Sequence, residues 1–166
     1  MRRGAVLLLA ALLGGGCGYT VNGTLPSHIQ TVAVPIFQNR TSEPAIEGLI
    51  TRAVVEAFST NGRLKVVGRE HADAVLDGEI TSYAVSSIAF NRDANVVQYR
   101  LQVTINLRMR DLRRNKVLFQ ENNIREQSDF RVQNAVSQTI SREETALRAA
   151  AVDIGRSIVS LAVTRF

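Results

Sequence analysis

Reactive residue types are scarce in this chain, which has one cysteine and two histidines. The single cysteine, Cys17, cannot form an intramolecular disulfide, so the fold must be held by packing even in an oxidising compartment. His28 and His71 stand in no metal-binding or catalytic spacing. The sequence also has no Cys-x-x-Cys pair, nucleophile elbow or phosphate-binding glycine loop. We therefore expect no metal, no other cofactor and no enzymatic activity.

Three carboxylates, Asp73, Asp77 and Glu79, cluster where a strand is predicted to begin. Paired carboxylates can perform acid–base chemistry, so catalysis is one interpretation of this cluster. Polar turn residues that flank a solvated strand face explain it better, because no nucleophile or second catalytic group accompanies them. We expect all three to be polar turn residues beside a solvated strand face.

The N-terminus has the three parts of an export signal. Arg2 and Arg3 are followed by the apolar stretch Ala5–Leu13 and then by the small residues Gly14–Gly16, which directly precede Cys17. As a helix the apolar stretch would span about 14 Å, against about 30 Å of hydrocarbon core, so it targets the chain rather than crossing a bilayer. The lipobox position usually held by Leu is Gly14 here. We predict that Cys17 is lipidated; the alternative is an ordinary signal peptide followed by a free or buried cysteine.

This signal divides the chain into a lipoprotein signal peptide (residues 1–16), a lipidated tether (17–27) and a single folded domain (28–166). The net charge of +5 includes Arg2 and Arg3, which leave with the signal, so the remaining chain is only mildly basic. Nucleic-acid binding is a poor explanation for that charge on an exported protein. Contact with anionic lipid or phosphorylated glycolipid fits the compartment better.

The first half of the domain has the order strand, helix, strand. Thr31–Phe37 is a β-rich run, and apolar residues from Ile46 to Phe58 recur with helical spacing. Pro44 suits the first helical turn, and Asn61–Gly62 suits its end. Leu64–Val67 is predicted to be the second short strand.

The second half is predicted to contain long strands and a final helix. Ala74–Phe90 forms a long strand that is interrupted or bent near Gly78 and Ser86–Ser87. Val97–Met109 alternates strictly between apolar and polar residues, which indicates a sheet covered on one face only. Val117–Arg125 is the returning strand.

The last helix is predicted to begin at a capping box made by Ser141 and Glu144. Two amphipathic helices and a half-covered sheet fit together when both helices pack on the same sheet face. The fold class is therefore α+β, a two-layer sandwich with two helices on one face of a small mixed or antiparallel sheet. The helical stripe expected in its core consists of Leu147, Ala150, Ala151, Ile154, Ile158 and Leu161.

Basic residues gather on the polar side of the central strand and at the turn that follows it. Guanidinium groups match phosphate oxygens with two parallel hydrogen bonds, so this surface is a candidate for binding phosphorylated lipid. The alternative is a solvated sheet face whose charges guard against aggregation. The candidate residues are Arg100, Arg108, Arg110, Arg113, Arg114 and Lys116.

Five segments, in this order and spacing, resemble the LPS-assembly lipoprotein family (LptE): Cys17–Tyr19, Ile29–Thr41, Leu49–Ala53, Gly62–Val67 and Ala72–Tyr83. The resemblance covers most of the chain that follows the signal and implies a fold of two helices on a small sheet. None of the five segments is a catalytic signature. Short openings of the Val-Ala-Val-Pro-Ile-Phe kind also occur in curli-secretion-like lipoproteins and in activators of peptidoglycan synthases, which are the alternative functions.

The resemblance implies a plug-like subunit inside a large outer-membrane β-barrel (LptD), which helps to deliver lipopolysaccharide to the cell surface. It places the chain at the periplasmic face of the outer membrane, held by the lipid anchor. Gly18 agrees with that location, because in enteric-type sorting an Asp after the cysteine favours inner-membrane retention. The candidate basic residues would then bind lipopolysaccharide.

Overall fold

The computed structural model describes residues 25–132 and 136–164. The predicted signal peptide and Cys17 lie outside the described residues, so the lipid anchor stays a prediction. The elements in chain order are β1 (Thr31–Ala33), β2 (Gln38–Asn39), α1 (Ile46–Asn61), β3 (Lys65–Val66), a 3₁₀ turn (Arg69–His71), β4 (Ala74–Phe90), β5 (Val96–Asp111), β6 (Lys116–Arg131) and α2 (Val136–Thr164).

The strands form one open mixed sheet of six strands, in the order β3-β1-β4-β5-β6, with β2 also paired to β4. β1 is parallel to both β3 and β4, and β2 is parallel to β4. β4, β5 and β6 form an antiparallel meander of long strands. With two helices packed on it, the sheet is the α+β sandwich that the sequence predicts.

The core lies between the sheet and the two helices. Leu101, Val103, Ile105, Leu107 and Met109 of β5 are buried, as their alternation predicts. They belong to one apolar cluster with the inner faces of α1 and α2. The β5 residues that alternate with them lie on the opposite side of the sheet, called here the outer face. The helical residues in the core are Ile46, Ile50, Val54 and Phe58 of α1 and Ala146, Ala150, Ala151, Ile154, Ile158, Val159 and Ala162 of α2.

The first predicted strand is interrupted. β1 ends at Ala33 and β2 begins at Gln38, so Thr31–Phe37 is not one strand. Pro35 lies in the break, where its missing N–H costs no ladder hydrogen bond. Pro44 lies in the turn before α1 rather than in its first turn, whereas Gly62 ends α1 in the left-handed conformation, as expected.

β4 is one continuous strand, and its pairing is irregular only partly where the sequence predicts an interruption or a bend. Register shifts occur between Ile80 and Ser82 and again from Ser87 to Phe90, but pairing is continuous through Gly78. The Phe37 ring lies 2.5 Å from where a Cβ on Gly78 would be. Glycine is therefore required there by the close approach of an aromatic ring, not by a bend.

The second half contains longer elements than predicted. β6 continues to Arg131, and α2 begins at Val136, so the predicted capping box is wrong. Ser141 lies inside the helix, where its carbonyl accepts a hydrogen bond from the Thr145 hydroxyl. Leu161 is only partly buried. A local capping pattern could not show that the helix extends one turn further along the sheet.

Candidate functional site

The outer face of the sheet is polar. The β5 residues that alternate with the buried set point to this side, away from the helices. Three of the candidate arginines lie on it, as the alternation predicts, and the intervening residues are neutral. The outward residues of β5 are Arg100, Gln102, Thr104, Asn106, Arg108 and Arg110.

Arg100 has a carboxylate partner within the protein. Its Nε and Nη2 donate to Oδ1 and Oδ2 of Asp129 at 2.7 and 2.9 Å. This hydrogen bond raises the pKa of Arg100 and lowers that of Asp129. Asp129 lies directly opposite Arg100 in the β5–β6 register, so the strand pairing sets the contact. Arg100 is therefore already neutralised and is a weaker candidate for an external anion.

Arg110 and Arg113 are also paired. Arg110 donates from Nε and Nη2 to Oδ2 of Asp77, at 3.3 and 2.9 Å. Arg113 forms an ion pair with Asp73, whose side chain is 8% exposed. Arg110 and Arg113, two further candidate residues, are thus paired with carboxylates of the protein itself.

Asp73 is buried, and its role differs from that of a solvated turn residue. It accepts hydrogen bonds at 3.0 Å from the backbone N–H groups of Gln30 and Thr31 and at 2.9 Å from the Thr31 hydroxyl. Burial alone would raise the pKa of Asp73, but these hydrogen bonds and the charge of Arg113 hold the pKa below its ordinary value. The carboxylate fixes the start of β1 to the start of β4.

Asp111 has the same function at the end of β5. Its Oδ1 accepts the backbone N–H groups of Arg113 and Arg114 at 2.8 and 2.9 Å, and its Oδ2 lies 2.7 Å from His28 Nε2. Burial would raise the pKa of Asp111, yet these hydrogen bonds lower it. One of the two histidines therefore has a structural role. The sequence pattern did not reveal it, because its partner is 83 residues away.

A depression of about 640 Å³ lies on the outer face between the β1–β2 break and the middle of β6. It brings Arg108 and Arg110 together and adds Arg69, which sequence reasoning missed because no periodic pattern links the 3₁₀ turn to β5. Arg100, Arg113, Arg114 and Lys116 do not line it, so the six candidate residues do not form one site. The residues of this polar cleft are Pro35, Ile36, Gln38, Arg69, Asp77, Gly78, Glu79, Asn106, Leu107, Arg108, Arg110, Gln120 and Asn122.

The far end of the β4–β5 hairpin carries large apolar side chains in contact with solvent. Phe90 is 57% exposed, and three other residues are more than a third exposed: Val85, Ile88 and Val97. Apolar side chains grouped in this way are typical of surfaces that meet another molecule. This hairpin tip is thus a second candidate surface, chemically different from the polar cleft.

Over the residues that the structure describes, no group of His, Cys, Asp or Glu side chains is arranged to hold a metal ion. In the same residues, no helix is both long and apolar enough to cross a membrane. The arrangement offers hydrogen-bond donors and cationic groups on one sheet face and apolar contact area at the hairpin tip. Both surfaces are suited to binding another molecule.

Solved lipoproteins of several bacteria share this fold. A minor lipoprotein from Acinetobacter baumannii has a TM-score of 0.54 at 10% identity, over 81% of this chain and 91% of that chain. An uncharacterized lipoprotein B from Nitrosomonas europaea has a TM-score of 0.52 at 18% identity, over 80% and 84%. A candidate lipoprotein from Caulobacter crescentus has a TM-score of 0.56 at 12% identity, over 76% and 87%. At these identities the likeness shows the fold alone.

No curated protein matches the chain. The model of the lipopolysaccharide-assembly family LptE matches residues 29–161, which includes every strand and nearly all of both helices. The match and the fold agree with the resemblance carried by the five sequence segments. The chain belongs to the LptE lipopolysaccharide-assembly family.

Proposed function

We propose that this protein is a non-catalytic outer-membrane lipoprotein that serves as the plug and assembly subunit of a β-barrel lipopolysaccharide translocon. The observation that carries the proposal is the family match over residues 29–161. Residues 28–166 would form its single domain, and the barrel partner would be LptD. Delivery of lipopolysaccharide to the cell surface is then the process in which the chain takes part.

The surface of the protein supports binding rather than chemistry. The hairpin tip offers apolar side chains that a partner could cover, including Phe90 at 57% exposure. Burial of apolar surface stabilises a complex by roughly 25 cal/mol per Å² before the costs of association. The buried carboxylates Asp73 and Asp111 are both committed to backbone N–H groups, which leaves them unsuited to acid–base catalysis.

Purification of the tagged full chain from detergent-extracted membranes tests the assembly role. We expect a large, heat-modifiable β-barrel to co-purify with it, and depletion of the protein to cause lipopolysaccharide defects in the outer membrane. A peptidoglycan synthase in place of the barrel, with wall-synthesis defects on depletion, would contradict the proposal. A variant with Phe90→Ser and Ile88→Ser should capture less barrel than a control with Val152→Ser, whose exposed apolar side chain lies on α2.

The anchor is tested separately. Lipidation of Cys17 would hold the protein at the periplasmic face of the outer membrane. Intact-mass analysis of membrane-extracted protein should show a diacylglyceryl or triacyl addition, and Cys17→Ser should release the chain into the periplasm. An unmodified, soluble form of the parent protein would contradict the proposed anchor.

The six basic residues remain proposed contacts to lipopolysaccharide, but their pairing changes the way to test them. Arg113 holds the buried Asp73, so replacing it would perturb the fold together with the surface, and Arg110 is already paired with Asp77. Arg108, Arg114 and Lys116 have side chains with no ion-pair partner in the described parts of the chain.

Replacing Arg108, Arg114 and Lys116 together with Gln should weaken lipopolysaccharide binding while the thermal melt stays nearly unchanged, since exposed contacts add little to stability. A charge-matched control replaces three exposed arginines of the helices, which lie on the opposite side of the sheet: Arg52, Arg142 and Arg148. Equal binding by the two triple variants would assign Arg108, Arg114 and Lys116 to a solvated face.

A further inference from the structure

The sheet edge formed by β6 has no neighbouring strand among the described residues. β6 is the last strand in the order of the sheet, and its second half pairs with β5 in regular register from Ile124 to Arg131. A register shift precedes this segment at Asn123, whose φ is 59°. The segment contains no proline, and its eight residues offer a regular edge about 27 Å long.

The register shows which backbone groups of this edge are open. The backbone N–H of Val132 donates to the Val97 carbonyl at 3.1 Å, so these two opposed residues are a hydrogen-bonded pair. Such pairs alternate with non-hydrogen-bonded pairs along an antiparallel ladder, so every second residue of β6 turns its N–H and C=O groups away from β5. In the part of the chain that the structure describes, these outward backbone groups have no hydrogen-bond partner. They belong to Arg125, Gln127, Asp129 and Arg131.

A depression of about 520 Å³ lies between the end of this edge and α2. Phe130 and Ala146, two of its lining residues, are buried and apolar. Thr145 and Ala149 of α2 also line it, and their short side chains leave room beside the strand. Alternate side chains of a strand added to β6 would point to the helix side of the sheet, where this depression can receive one of them.

The carboxylates of the segment are already engaged within the protein. Asp129 lines the depression, but its Oδ1 and Oδ2 accept from Arg100 Nε and Nη2 at 2.7 and 2.9 Å. Glu126 points to the helix side, where its Oε1 accepts from the Ser157 hydroxyl at 2.6 Å. Neither group is therefore available to neutralise a cation at the edge.

Three arginines give the edge its charge. Arg125 and Arg131 lie on the outer face of the open segment, and Arg142 of α2 lines the depression. None of them has an ion-pair partner among the described residues. Opposite charges across neighbouring strands stabilise a sheet, and like charges destabilise it. The edge therefore suits an acidic strand and disfavours a second copy of itself.

We propose that the β6 edge binds an extended acidic segment of a partner protein as an additional strand of the sheet. Main-chain hydrogen bonds to the open residues of β6 provide the affinity, and alternate side chains provide the specificity. Acidic side chains on one face of the added strand meet Arg125 and Arg131, and apolar side chains on its other face enter the depression beside Phe130. The inference goes beyond the proposed function, since it depends on the geometry of the edge and not on the family match.

Fluorescence anisotropy with labelled peptides and the full chain in a neutral detergent tests the proposal. The probe is a peptide of about nine residues in which glutamate and valine alternate. We expect it to bind, and the same peptide with lysine in place of glutamate to bind at least tenfold more weakly. A glutamate peptide that does not bind, or that binds no better than the lysine peptide, would overturn the proposal.

Backbone methylation of the probe distinguishes strand addition from simple charge attraction. Only every second N–H of an added strand faces β6, and the others face solvent. One peptide therefore carries N-methyl groups on its glutamates and another carries them on its valines. We expect one of the two to lose binding and the other to keep it. Equal binding by both methylated peptides contradicts strand addition.

Two changes at Gln127 test the same point from the side of the protein. Gln127→Pro removes an N–H that faces the open edge, so the β5–β6 ladder stays intact while peptide binding should weaken at least tenfold. Gln127→Ala is the matched control, because it loses the same side-chain hydrogen bond to Gln102 but keeps the backbone N–H. We expect it to change binding less than twofold. Equal losses in the two variants would contradict the proposal, and if Gln127→Pro unfolds, the methylated peptides decide.

The charge of the edge is tested by a pair of double variants. Replacing Arg125 and Arg131 together with Gln should weaken binding of the glutamate peptide at least fivefold. The control replaces Arg52 and Arg63, which are exposed within α1 and just after it, and should change binding less than twofold. Equal losses would reduce the effect to net charge and contradict the edge as the site. A dimer of the chain that Gln127→Pro abolishes would assign the edge to a second copy instead.

Discussion

Arginine–aspartate pairs occur in two regions of this molecule with different consequences. Where β1 and β4 begin, Arg113 pairs with Asp73, whose side chain is 8% exposed. Asp73 also accepts three hydrogen bonds from β1 and the residue before it. On the outer face, Arg100 meets Asp129, and both side chains are more than a third exposed. The same pair of residue types fixes the chain path in one region and only covers a solvated surface in the other.

The difference follows from what else each carboxylate holds. Removing Asp129 leaves groups that water can solvate, whereas removing Asp73 leaves buried backbone N–H groups without an acceptor. Burial together with the number of backbone partners, rather than the ion pair itself, therefore sets the contribution to stability.

The largest expected effect comes from Asp73→Asn. The amide keeps the size of the carboxylate but loses its charge and points an N–H group at donors, so the free energy of unfolding should fall by about 3 kcal/mol. Urea unfolding followed by circular dichroism measures this change. The matched change Asp129→Asn should leave the urea midpoint almost where it is. Equal losses in both variants would contradict the comparison.

A smaller effect is expected where the helices meet. A Cβ on Gly155 of α2 would lie 2.7 Å from the Ala53 carbonyl oxygen, so Gly155→Ala should push α1 and α2 apart and cost about 2 kcal/mol. Gly48 of α1 has open space around its Cβ position, and Gly48→Ala should be neutral or stabilising by up to about 1 kcal/mol. The urea midpoints of the two variants check both expectations. An unchanged midpoint in Gly155→Ala would contradict the close packing of α1 against α2.

Low pH should also lower the stability that the Asp73 and Asp111 carboxylates provide. The folded-state pKa values of Asp73 and Asp111 lie below the ordinary value of 3.8, so the carboxylates favour the fold above that pH. This contribution is lost as the pH falls from about 4 through the lowered pKa values. The melting temperature should therefore decline below about pH 4, and less steeply in Asp111→Asn. A parallel decline in that variant would assign the acid sensitivity to other groups.

The smallest expected effect belongs to the exposed pair. Arg100→Gln should leave the melting temperature nearly unchanged, because solvent and salt screen the ion pair. In contrast, the pKa of Asp129 should return towards its ordinary value, which carboxylate chemical shifts over a pH titration would detect. A marked loss of melting temperature would give this pair the same weight as the buried one.

Predictions from sequence were most accurate where a local period determines the structure. The alternation of Val97–Met109 correctly predicted which β5 residues enter the core between Leu101 and Met109, although Val97 itself is 39% exposed. The helical spacing from Ile46 to Phe58 likewise identified α1. Periods of two and 3.6 residues follow from backbone geometry alone, so no distant contact is needed to read them.

Predictions failed where a local pattern did not decide the structure. Ser141 carries a plausible capping pattern, yet α2 begins at Val136. The residues Thr31–Phe37 have uniform β propensity, but the run divides into β1 and β2, and its Phe37 ring packs against Gly78. Propensity is a weak prior that packing overrides.

The candidate site shows the same limit. The sequence placed Arg100, Arg108 and Arg110 on one polar face, and the structure agrees. The sequence could not show which of these arginines has an ion-pair partner, because strand register sets the partners. Arg100 pairs with Asp129, and Arg110 pairs with Asp77. Arg108 is left without a partner by that pairing, which no one-dimensional pattern contains.

By itself the sequence determined the two-layer α+β class, the buried and polar sides of β5 and the family resemblance. Each of these depends on residue order and local spacing, which the chain carries directly. Only the tertiary structure decided which charges are buried, which are paired and which are free, because side chains from positions as distant as Arg69 and Arg108 meet only after the sheet has formed. The pairing of charges is a property of the folded sheet, and it is the pairing that makes the polar cleft a candidate binding site.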